Sequence, residues 1–317
     1  MKFIDPKVEW WKEFSSEKHI ARVSRICYKA KSRAANHTLT PFQQIEEENN
    51  QAKRMCESLW KKGHRSMFRH STVYYYISDL RWMPVWVLAT IQASPYIHCE
   101  VSTEKIWIST NVQYIRENPK IEERLKAYVV SEEKFIEEAL RSNFPQALML
   151  LRMTLVITMQ RIQGNSFNRK SPNNIAEQST RYVNLKKKGG VLICTPHWEA
   201  DPSAHFRKGE DGKPLKFPTL RSLLAVHLSH LGYRVAEAVY NMLLWCGLNP
   251  EDARGNLTFN TYTISAHTYN LHEWRHIVDM RLRDLTGRAH PDAHIIGHMI
   301  FDTINNRMRE IVPDFTI

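Results

Sequence analysis

The sequence predicts an α+β protein, because segments with helical periodicity occur together with short β-rich runs without regular alternation. The β-rich runs are Val73–Ile77, Lys105–Ser109 and Val191–Cys194, and helices are expected at 41–62, 132–141, 219–246, 270–283 and 293–309. The chain has 317 residues, of which 43% are hydrophobic. That length and composition suffice for a sizeable core, in one large domain or two small ones.

The helix at 41–62 is predicted from its charges and its end. Acidic residues lie in its first half, and Lys61 and Lys62 lie at its end, an order that the helix dipole favours. Gly63 follows as a C-terminal stop. Residues 1–62 as a whole are expected to be mostly helical.

The helix at 219–246 carries apolar residues at helical spacing, which we expect to face the core. These residues are Val235, Ala236, Val239, Tyr240, Leu243 and Leu244. Gly247 supplies the stop, and Pro250 prevents continuation of the helix.

The balance of charge restricts the class of partner. The net charge is +11, from 44 Lys and Arg against 33 Asp and Glu, and the pI is about 9.4. Such a balance suits nucleic acid, an anionic membrane surface or phosphorylated small molecules.

Cysteine and histidine usage indicates a reducing compartment without metal. The five cysteines are scattered and form no CxxC pair, and none of the fifteen histidines belongs to an HExxH array. No apolar run approaches the ~18 residues of a membrane span, and the N-terminus lacks the apolar core of a signal peptide. We therefore expect a cytoplasmic protein with no metal site.

The segment 270–283 places an arginine on an apolar helical face. Trp274, Ile277, Val278 and Arg281 fall at positions i, i+3, i+4 and i+7. A guanidinium is rarely buried without an anion or an acceptor. Either a ligand or an internal salt bridge, for example with Asp284, would satisfy it.

The segment 169–182 combines Ser, Pro and Asn with arginine. It reads Arg-Lys-Ser-Pro-Asn-Asn-Ile-Ala-Glu-Gln-Ser-Thr-Arg-Tyr and follows the apolar run 153–159. Amides and hydroxyls can orient a phosphate, and arginine can bind it with charge-assisted, bidentate bonds. The residue types alone also fit a polar surface loop.

This segment resembles the signature of the flavin-dependent thymidylate synthases, which reads Arg-His-Arg, a variable part, then Glu-x-Ser-x-Arg-Tyr. The closing half is complete from Glu177 to Tyr182, whereas in the opening half Arg169 is followed by Lys170 and Ser171. The family's Gly-His-x-Ser/Thr-Pro-x-Glu-His segment is matched at His64, Ser66 and His70, with Met67 and Arg69 replacing the Pro and the Glu. The C-terminal matches are Arg254, Asn270, His276 and Arg281, and position 272 is His where the family has Arg.

The resemblance implies a single domain of mixed helices packed on an antiparallel sheet, with an insertion at about 79–151. It also implies a homotetramer whose sites are built from several subunits around FAD. The reaction would transfer the methylene of methylenetetrahydrofolate to C5 of dUMP, with hydride from the reduced flavin and NADPH as reductant. Phosphate-bearing ligands and an anionic folate explain the basic chain, so neither nucleic acid nor a membrane is expected as partner.

Site residues follow from the same resemblance. The substrate phosphate is assigned to Ser179, Thr180, Arg181 and Arg254. Arg281, Arg169 and His64 are assigned to catalysis, with Arg281 and Arg169 near the pyrimidine, where Arg281 could stabilise negative charge developing at O2. Cofactor binding is assigned to His64, Ser66, Arg169, Lys170, Glu177, Asn270 and His276.

Two alternatives stay open. A sister enzyme could methylate or hydroxymethylate another pyrimidine nucleotide, because Arg69, Lys170 and Ser171 depart from the family pattern. A catalytically inactive nucleic-acid-binding relative would share the +11 charge and nine tryptophans, although no RNP, zinc-finger or helix-turn-helix signature is present. None of the cysteines lies in 169–182 or 270–283, so no cysteine nucleophile is expected.

Overall fold

A computed structural model describes residues 2–28, 40–169, 172, 174–201 and 219–317. Its strands are β1 (Lys2–Ile4), β2 (Lys7–Trp10), β3 (Thr72–Ile77), β4 (Ile97–Val101), β5 (Ile106–Asn111), β6 (Val129–Val130), β7 (Arg152–Gln160), β8 (Ile175–Glu177), β9 (Leu192–Cys194) and β10 (Tyr262–Asn270). The helices of the described residues are α1 (Ser16–Tyr28), α2 (Pro41–Lys61), α3 (Val85–Ala93), α4 (Val112–Glu117), α5 (Pro119–Leu125), α6 (Glu132–Arg141), α7 (Arg161–Phe167), α8 (His197–Ala200), α9 (Leu220–Trp245), α10 (Pro250–Ala253), α11 (Leu271–Arg281) and α12 (Pro291–Arg309). The predicted α+β class is confirmed.

Two four-stranded antiparallel sheets have corresponding strand orders, although the outer strand β6 follows β3 and β5 in the chain, whereas its counterpart β2 precedes β7. The first has the order β4-β5-β3-β6, and the second has the order β8-β10-β7-β2 when it is read in the matching direction. β3 therefore corresponds to β7, and β5 corresponds to β10. A separate parallel pair joins β1 to β9.

The connections around the central strands also repeat. In each sheet a helix ends in a left-handed residue, Gly63 (φ 80°) or Asn143 (φ 49°), and a six-residue 3₁₀ helix leads into the strand. The strands begin at Thr72 and Arg152, so the turn and the strand keep the same spacing (143 − 63 = 80 and 152 − 72 = 80).

An asparagine ends the partner strand in both sheets. Asn111 ends β5 and accepts a hydrogen bond from the Tyr114 N–H (2.9 Å), so that it caps α4. Asn270 ends β10 and accepts from the Glu273 N–H (2.8 Å), so that it caps α11. Thr72 pairs with Asn111, and Arg152 pairs with Asn270. The chain thus holds one supersecondary unit twice, a first unit at 41–130 and a second unit at 132–281.

The two units share a hydrophobic core. β7 is buried along its whole length and packs with α11 and α12 through side chains such as Trp274 and Ile300. Tyr74 and Trp107 of the first sheet belong to the same cluster. Residues 79–151, which were predicted to be an insertion, supply β4 to β6 of the first unit and α6 of the second. The insertion and the single-domain organisation stay predictions.

The described residues of 1–62 are mostly helical, as predicted, because α1 and α2 account for most of them. The sequence pattern did not predict β1 and β2, which pair with β9 and β7, partners too distant in sequence for a local pattern to reveal. One expectation was wrong. The stripe on α9 does not face the core as a whole. Tyr240 is buried, but the side chains of Val235 and Val239 are exposed.

Candidate functional site

Helix α7 directly follows the buried strand β7 and carries the site at its two ends. Arg161 begins the helix, and Ser166, Phe167 and Arg169 lie at or just beyond its end. Seven helical residues span about 10 Å. Basic side chains gather at both ends, and each group contains residues that the sequence assigned to the site.

At the first end, two arginines converge on one hydroxyl. The Arg161 Nη1 donates to Thr180 Oγ1 (3.3 Å), and the Arg254 Nη1 donates to the same atom (3.1 Å). Thr180 is 4% exposed. We call Arg161, Thr180 and Arg254 the Thr180 cluster. A single neutral hydroxyl does not compensate two guanidinium charges, so this cluster attracts an anion.

Arg161 is a site residue that the sequence analysis missed. Its Nε and Nη2 are buried and have no hydrogen-bond partner among the described residues. Burial lowers the pKa of Arg161. The negative charge of Glu177 raises this pKa and so partly opposes the effect of burial. The signal was weak, because Arg161 directly follows an apolar strand and lies outside the signature segment.

Arg181 and Ser179 lie beside the Thr180 cluster but have other partners. The Arg181 Nε is 2.6 Å from Glu251 Oε1, and Arg181 is exposed. Ser179 Oγ accepts from the Arg181 and Tyr182 N–H groups (3.1 and 3.4 Å) and so holds the turn. Glu251 would have to release Arg181 for it to bind a phosphate with its full charge.

Glu177 is held between β10 and α7. Its Oε1 accepts from the Thr263 hydroxyl (2.7 Å), and its Oε2 accepts from the Asn168 amide (2.9 Å). The absence of a side chain at Gly164 leaves room for this carboxylate, since a Cβ there would lie 3.4 Å from Oε1. Glu177 therefore links β10 to the C-terminal end of α7.

At the second end, Arg169, His276 and Arg281 line a cavity of about 300 Å³. The Arg281 Nη2 donates to the Ser166 carbonyl (2.6 Å), and the guanidinium lies over the Phe167 ring (5.6 Å). Burial lowers the pKa of Arg281, and the nearby charge of Arg169 lowers it further. Two cations therefore face one small cavity.

Among the described residues, Arg281 forms no ion pair, so the salt bridge considered for it is not observed. Its Nε is buried without a partner. Trp274, Ile277 and Val278 are buried as predicted. Helix α12 packs closely against the Arg281 backbone at Gly297. A Cβ at Gly297 would lie only 3.2 Å from the carbonyl carbon of Arg281. These contacts position a guanidinium that has unused hydrogen-bonding capacity.

Asn270 lies at the other end of α11 from Arg281. Its side chain and that of Glu273 form a capping box, with bonds of 2.8 and 3.0 Å. Both line a second cavity of about 410 Å³, together with Glu100, whose Oε1 is 3.3 Å from His272 Nε2. Eleven helical residues separate Asn270 from Arg281 by about 16 Å. These two assigned residues therefore line different cavities.

His64 and Ser66 lie in the first unit, at the 3₁₀ helix before β3, and both are exposed. The equivalent turn before β7 carries Phe144 and Gln146, because the two turns differ by 80 positions. Neither His64 nor Ser66 lines the cavity of Arg169 and Arg281. The site assignment of His64 and Ser66 stays a prediction. Lys170 and Ser171 lie outside the described residues.

One group of side chains in the described part of the chain has the composition of a metal site. His197, His290 and Asp292 offer ligand atoms within 4.8 Å of one another. Each already has a protein partner. Asp292 Oδ1 accepts from the His197 N–H (2.7 Å), and His290 Nδ1 accepts from the Asp292 N–H (3.3 Å) and contacts the Gln163 amide (3.1 Å). The hydrogen bonds at the N-terminal end of α12 therefore explain why these three side chains lie close together, without a metal ion.

None of the five cysteines lines the cavity of Arg281 or belongs to the Thr180 cluster, although the Cys27 carbonyl accepts a hydrogen bond from the Ser179 N–H (2.9 Å). Cys194 is fully buried, whereas Cys246 is exposed although its neighbours in sequence are apolar. It ends α9, whose apolar residues are largely exposed. No helix in the described ranges is both long and apolar enough to cross a membrane.

Comparison with known proteins places the chain in a family. A comparison with curated proteins gave no match. Among solved structures, the chain is similar to a UMP/dUMP methylase, PolB, from Streptomyces cacaoi bound with 5-Br UMP. The identity is 18% and the TM-score 0.42, over 56% of this chain and 77% of that one. The same methylase bound with 5-Br dUMP gives 19% identity and a TM-score of 0.40, over 56% and 74%. The model of the family described as thymidylate synthase complementing protein matches residues 98–313, more than half of the chain, and the chain therefore belongs to this family, the flavin-dependent thymidylate synthases.

Proposed function

We propose that the protein transfers a one-carbon unit from methylenetetrahydrofolate to C5 of dUMP and so forms dTMP. The observation that carries this proposal is a pair of half-buried arginines at the two ends of α7, Arg161 and Arg281, each with a buried nitrogen that has no partner among the described residues. One end suits a phosphate and the other a pyrimidine ring. The family supplies the chemistry, since its members use FAD and methylenetetrahydrofolate.

The phosphate is assigned to the Thr180 cluster. Arg161 and Arg254 already point at one atom, Thr180 Oγ1, and the unpartnered Nε and Nη2 of Arg161 can donate to phosphate oxygens. Ser179 and Arg181 complete this group once Arg181 leaves Glu251. Binding of the dianion would offset the desolvation of the Arg161 guanidinium.

The pyrimidine is assigned to the cavity of Arg169, His276 and Arg281. The unpartnered Arg281 Nε can donate to a carbonyl oxygen of the ring. Negative charge that develops on the base would then be stabilised by a guanidinium already fixed by Ser166 and Phe167. Such a preorganised cation needs no rearrangement during the reaction.

The donor set at the second end of α7 fits a flavin. Arg169 and His276 offer donors to its polar atoms, and Glu177 offers acceptors close by. When bound, reduced FAD supplies hydride to the transferred carbon. NADPH as the reductant, the contributions of His64, Ser66, Lys170 and Asn270, and a cytoplasmic location belong to the proposal through the family resemblance.

A homotetramer is part of the proposal, with sites completed by neighbouring subunits. Its support is the apolar surface of α9. Leu220, Leu224, Leu228 and Trp245 expose 84%, 55%, 58% and 83% of their area, and a stable monomer rarely leaves such a face in water. The oligomeric state can be measured by sedimentation velocity.

The test of the function is release of tritium from C5-labelled nucleotides with FAD, NADPH and methylenetetrahydrofolate present. We expect release from dUMP, and formation of dTMP in equal amount. Release from labelled dCMP or UMP, but not from dUMP, would favour the sister enzyme for another pyrimidine nucleotide. A purified protein with no flavin absorbance and no release from any of the three would contradict both enzymes and favour the binding protein.

A further inference from the structure

Six cationic side chains line a cavity that lies away from the site at α7. The volume of this cavity is about 1010 Å³. Tyr262 and Ile264 of β10 line it, whereas the intervening Thr263 donates to Glu177 beside α7. Because successive strand residues point to opposite faces of a sheet, the cavity and α7 lie on opposite faces. A nucleotide bound at α7 therefore leaves the charge of this cavity uncompensated.

The wall of the cavity is strongly basic. Glu48 is the one carboxylate among its described lining residues, and it lies 3.8 Å from Lys18. Arg22, Arg25 and Lys187 form no salt bridge with a carboxylate of another described residue. The six cations are Lys12, Lys18, Arg22, Arg25, Lys187 and Lys188. The three unpaired cations favour a ligand that carries several negative charges along its length.

Arg22 is held in the wall before any ligand binds. Its guanidinium lies 4.3 Å from the Trp11 ring, and its Nη2 donates to the Lys12 carbonyl (3.0 Å) and to His19 Nδ1 (3.1 Å). Burial lowers the pKa of His19 to about 3, so this ring is neutral and its Nδ1 accepts the bond. The Nε and Nη1 of Arg22 form no hydrogen bond to another described residue, and they can donate to a phosphate oxygen.

Two further lining residues can bind a nucleic-acid base. Phe14 is 81% exposed although Lys12 lies over its ring (5.4 Å), so most of the ring surface is in water. An exposed aromatic ring can stack on any base. Gln178 is buried, and its side-chain amide has no hydrogen bond to another described residue. An amide with a free donor and a free acceptor can pair with the edge of a base.

The size and the opening of the cavity favour a chain over a single small molecule. Pockets for drug-sized ligands have volumes of about 300–1,000 Å³, so one nucleotide would leave much of this cavity empty. Lys12, Phe14 and Lys187 line the cavity and are exposed, so its rim is open to solvent. Proteins that bind single strands combine such a cationic groove with exposed aromatic side chains.

We propose that this cavity binds a stretch of single-stranded nucleic acid, with phosphates at Arg22, Arg25 and Lys187 and a base against Phe14. The sequence-based expectation of no nucleic acid depended on small anions that explain the charge of the chain. Small anions bound at α7 do not reach these cations, because the two lie on opposite faces of the sheet. The cavity shares no lining residue with the cavity of Arg281, so this binding is an activity beyond the proposed function.

Fluorescence anisotropy of the purified full chain tests the proposal with labelled oligo(U) and oligo(dT) of about ten nucleotides, within the usual site size. We expect log K to fall with log salt at a slope of about −2, because three phosphate contacts contribute about −0.7 each. The two oligonucleotides tell RNA from DNA. An abasic oligonucleotide of the same length should bind at least tenfold more weakly. Absence of binding by both oligonucleotides, or equal binding of the abasic one, would overturn the proposal.

The lysine run 186–188 offers a matched control for the phosphate contacts. Lys187 lines the cavity and Lys186 does not, and both are exposed on the same short helix. Lys187→Ala and Arg25→Ala should each make the salt slope shallower by about 0.7, the contribution of one phosphate contact. Lys186→Ala should leave the slope unchanged. Equal changes for the two lysines would show attraction by overall charge and would contradict the site.

Phe14 can be tested against a second exposed phenylalanine. Phe14→Ala should weaken oligonucleotide binding about fivefold or more, the range of a base stacked on an aromatic ring. Phe259 is 66% exposed and does not line the cavity, so Phe259→Ala should have no effect. Unchanged binding in folded Phe14→Ala would remove the stacked base from the proposal.

The same assay separates this site from the proposed function. Saturating dUMP, which the proposed function places at α7, should not displace the oligonucleotide, and displacement would overturn the separate site. Arg281→Ala should leave oligonucleotide binding unchanged while turnover falls. A wild-type protein that binds the oligonucleotide but transfers no carbon would contradict the function and support the site. Melting temperatures within a few degrees of wild type show that each variant is folded.

Discussion

The two repeated units share a backbone arrangement but differ in charge at corresponding positions. Eleven residues after its capping asparagine the second unit has Arg281, at the end of α11, whereas in the first unit α4 already ends at Glu117 and the same count reaches Glu122 in α5. Six residues after the same caps stand His276 and Glu117. In the first unit Glu117 is engaged by Arg65 and Gln113 at 3.4 and 3.2 Å. In the first unit, Glu117 is therefore paired with polar side chains of the same unit.

The helices after β3 and β7 extend the comparison. α3 follows its cap Pro84 and α7 follows its cap Gln160, so Arg169 corresponds to Ala93 (160 + 9 = 169 and 84 + 9 = 93). The asparagine caps and the left-handed turns, which build the unit, are common to both copies. The arginines with unused donors are found in the second. The residues that build the unit are therefore different from the arginines that could bind a ligand.

The largest effect is expected from Arg281→Ala, which removes the charge that distinguishes the units. We expect folded, flavin-loaded protein whose turnover falls about tenfold to a hundredfold or more, because a lost bond to a charged group costs about 1.5–3 kcal/mol or more. Glu122→Ala in the first unit is the matched variant and should keep turnover within about twofold. Tritium release and flavin absorbance measure both. Wild-type turnover in Arg281→Ala would remove this residue from the site.

Arg161→Ala and Arg254→Ala should each weaken dUMP binding about tenfold to a hundredfold, the range of one charge-assisted bond. The loss should shrink when deoxyuridine replaces dUMP, because both side chains are assigned to the phosphate. Arg181→Ala should have a smaller effect, since Arg181 is paired with Glu251. Titration calorimetry compares nucleotide and nucleoside, and Arg124→Ala, an exposed arginine of the first unit, is the control. Equal losses for both ligands would show that the phosphate assignment is wrong.

Gly297→Ala tests whether packing behind Arg281 matters. The new Cβ would meet the Arg281 backbone at 3.2 Å, so α11 or α12 must move, and we expect about 1–3 kcal/mol of destabilisation. Turnover should fall because the guanidinium moves with its backbone. Gly232→Ala is the control, since a Cβ there meets nothing within 4 Å and helix propensity should stabilise α9. Urea unfolding and turnover are measured together, and an unchanged rate in stable Gly297→Ala would separate packing from catalysis.

Much of the local structure was predictable from the sequence, since it depends on neighbouring residues. α6 has its predicted bounds, and α2 ends before Gly63 as its charges and the glycine indicated. The sequence did not predict the pairing of β2 with β7 or the corresponding strand order of the two sheets, because strand partners lie far apart along the chain. In the site, Arg254, Thr180 and Arg281 were named from motifs. Arg161 was missed because its role arises from the meeting of β7, the signature loop and α10.

The capping asparagines should have a smaller effect and should separate the units again. Asn111→Ala and Asn270→Ala should each cost about 0.5–2 kcal/mol of stability, the usual value of a helix cap. The first should leave turnover of the folded fraction unchanged. The second should lower turnover as well, because Asn270 is assigned to the cofactor. Urea unfolding gives the stability, and flavin retention gives the cofactor affinity. Equal flavin retention in both variants would limit Asn270 to capping.

The smallest effect is expected for the cysteines, in either unit. A thiolate nucleophile needs an exposed sulfur with a lowered pKa. Burial instead raises the pKa of Cys194 to about 12 and those of Cys27 and Cys56 to about 11, and it raises the pKa of Cys99 as well. These thiols stay protonated at neutral pH. Cys246 is exposed, but it lies at the end of α9 and lines neither arginine group.

Each Cys→Ala variant should therefore keep turnover per folded molecule within about twofold. Cys194→Ala removes a fully buried sulfur and should lose stability, so the folded fraction must be measured beside the rate. Cys246→Ala is its exposed counterpart and should change neither quantity. Because hydride transfer from a flavin needs no covalent bond from the protein to C6, a folded, flavin-loaded cysteine variant without turnover would contradict that chemistry and indicate covalent catalysis by the thiol.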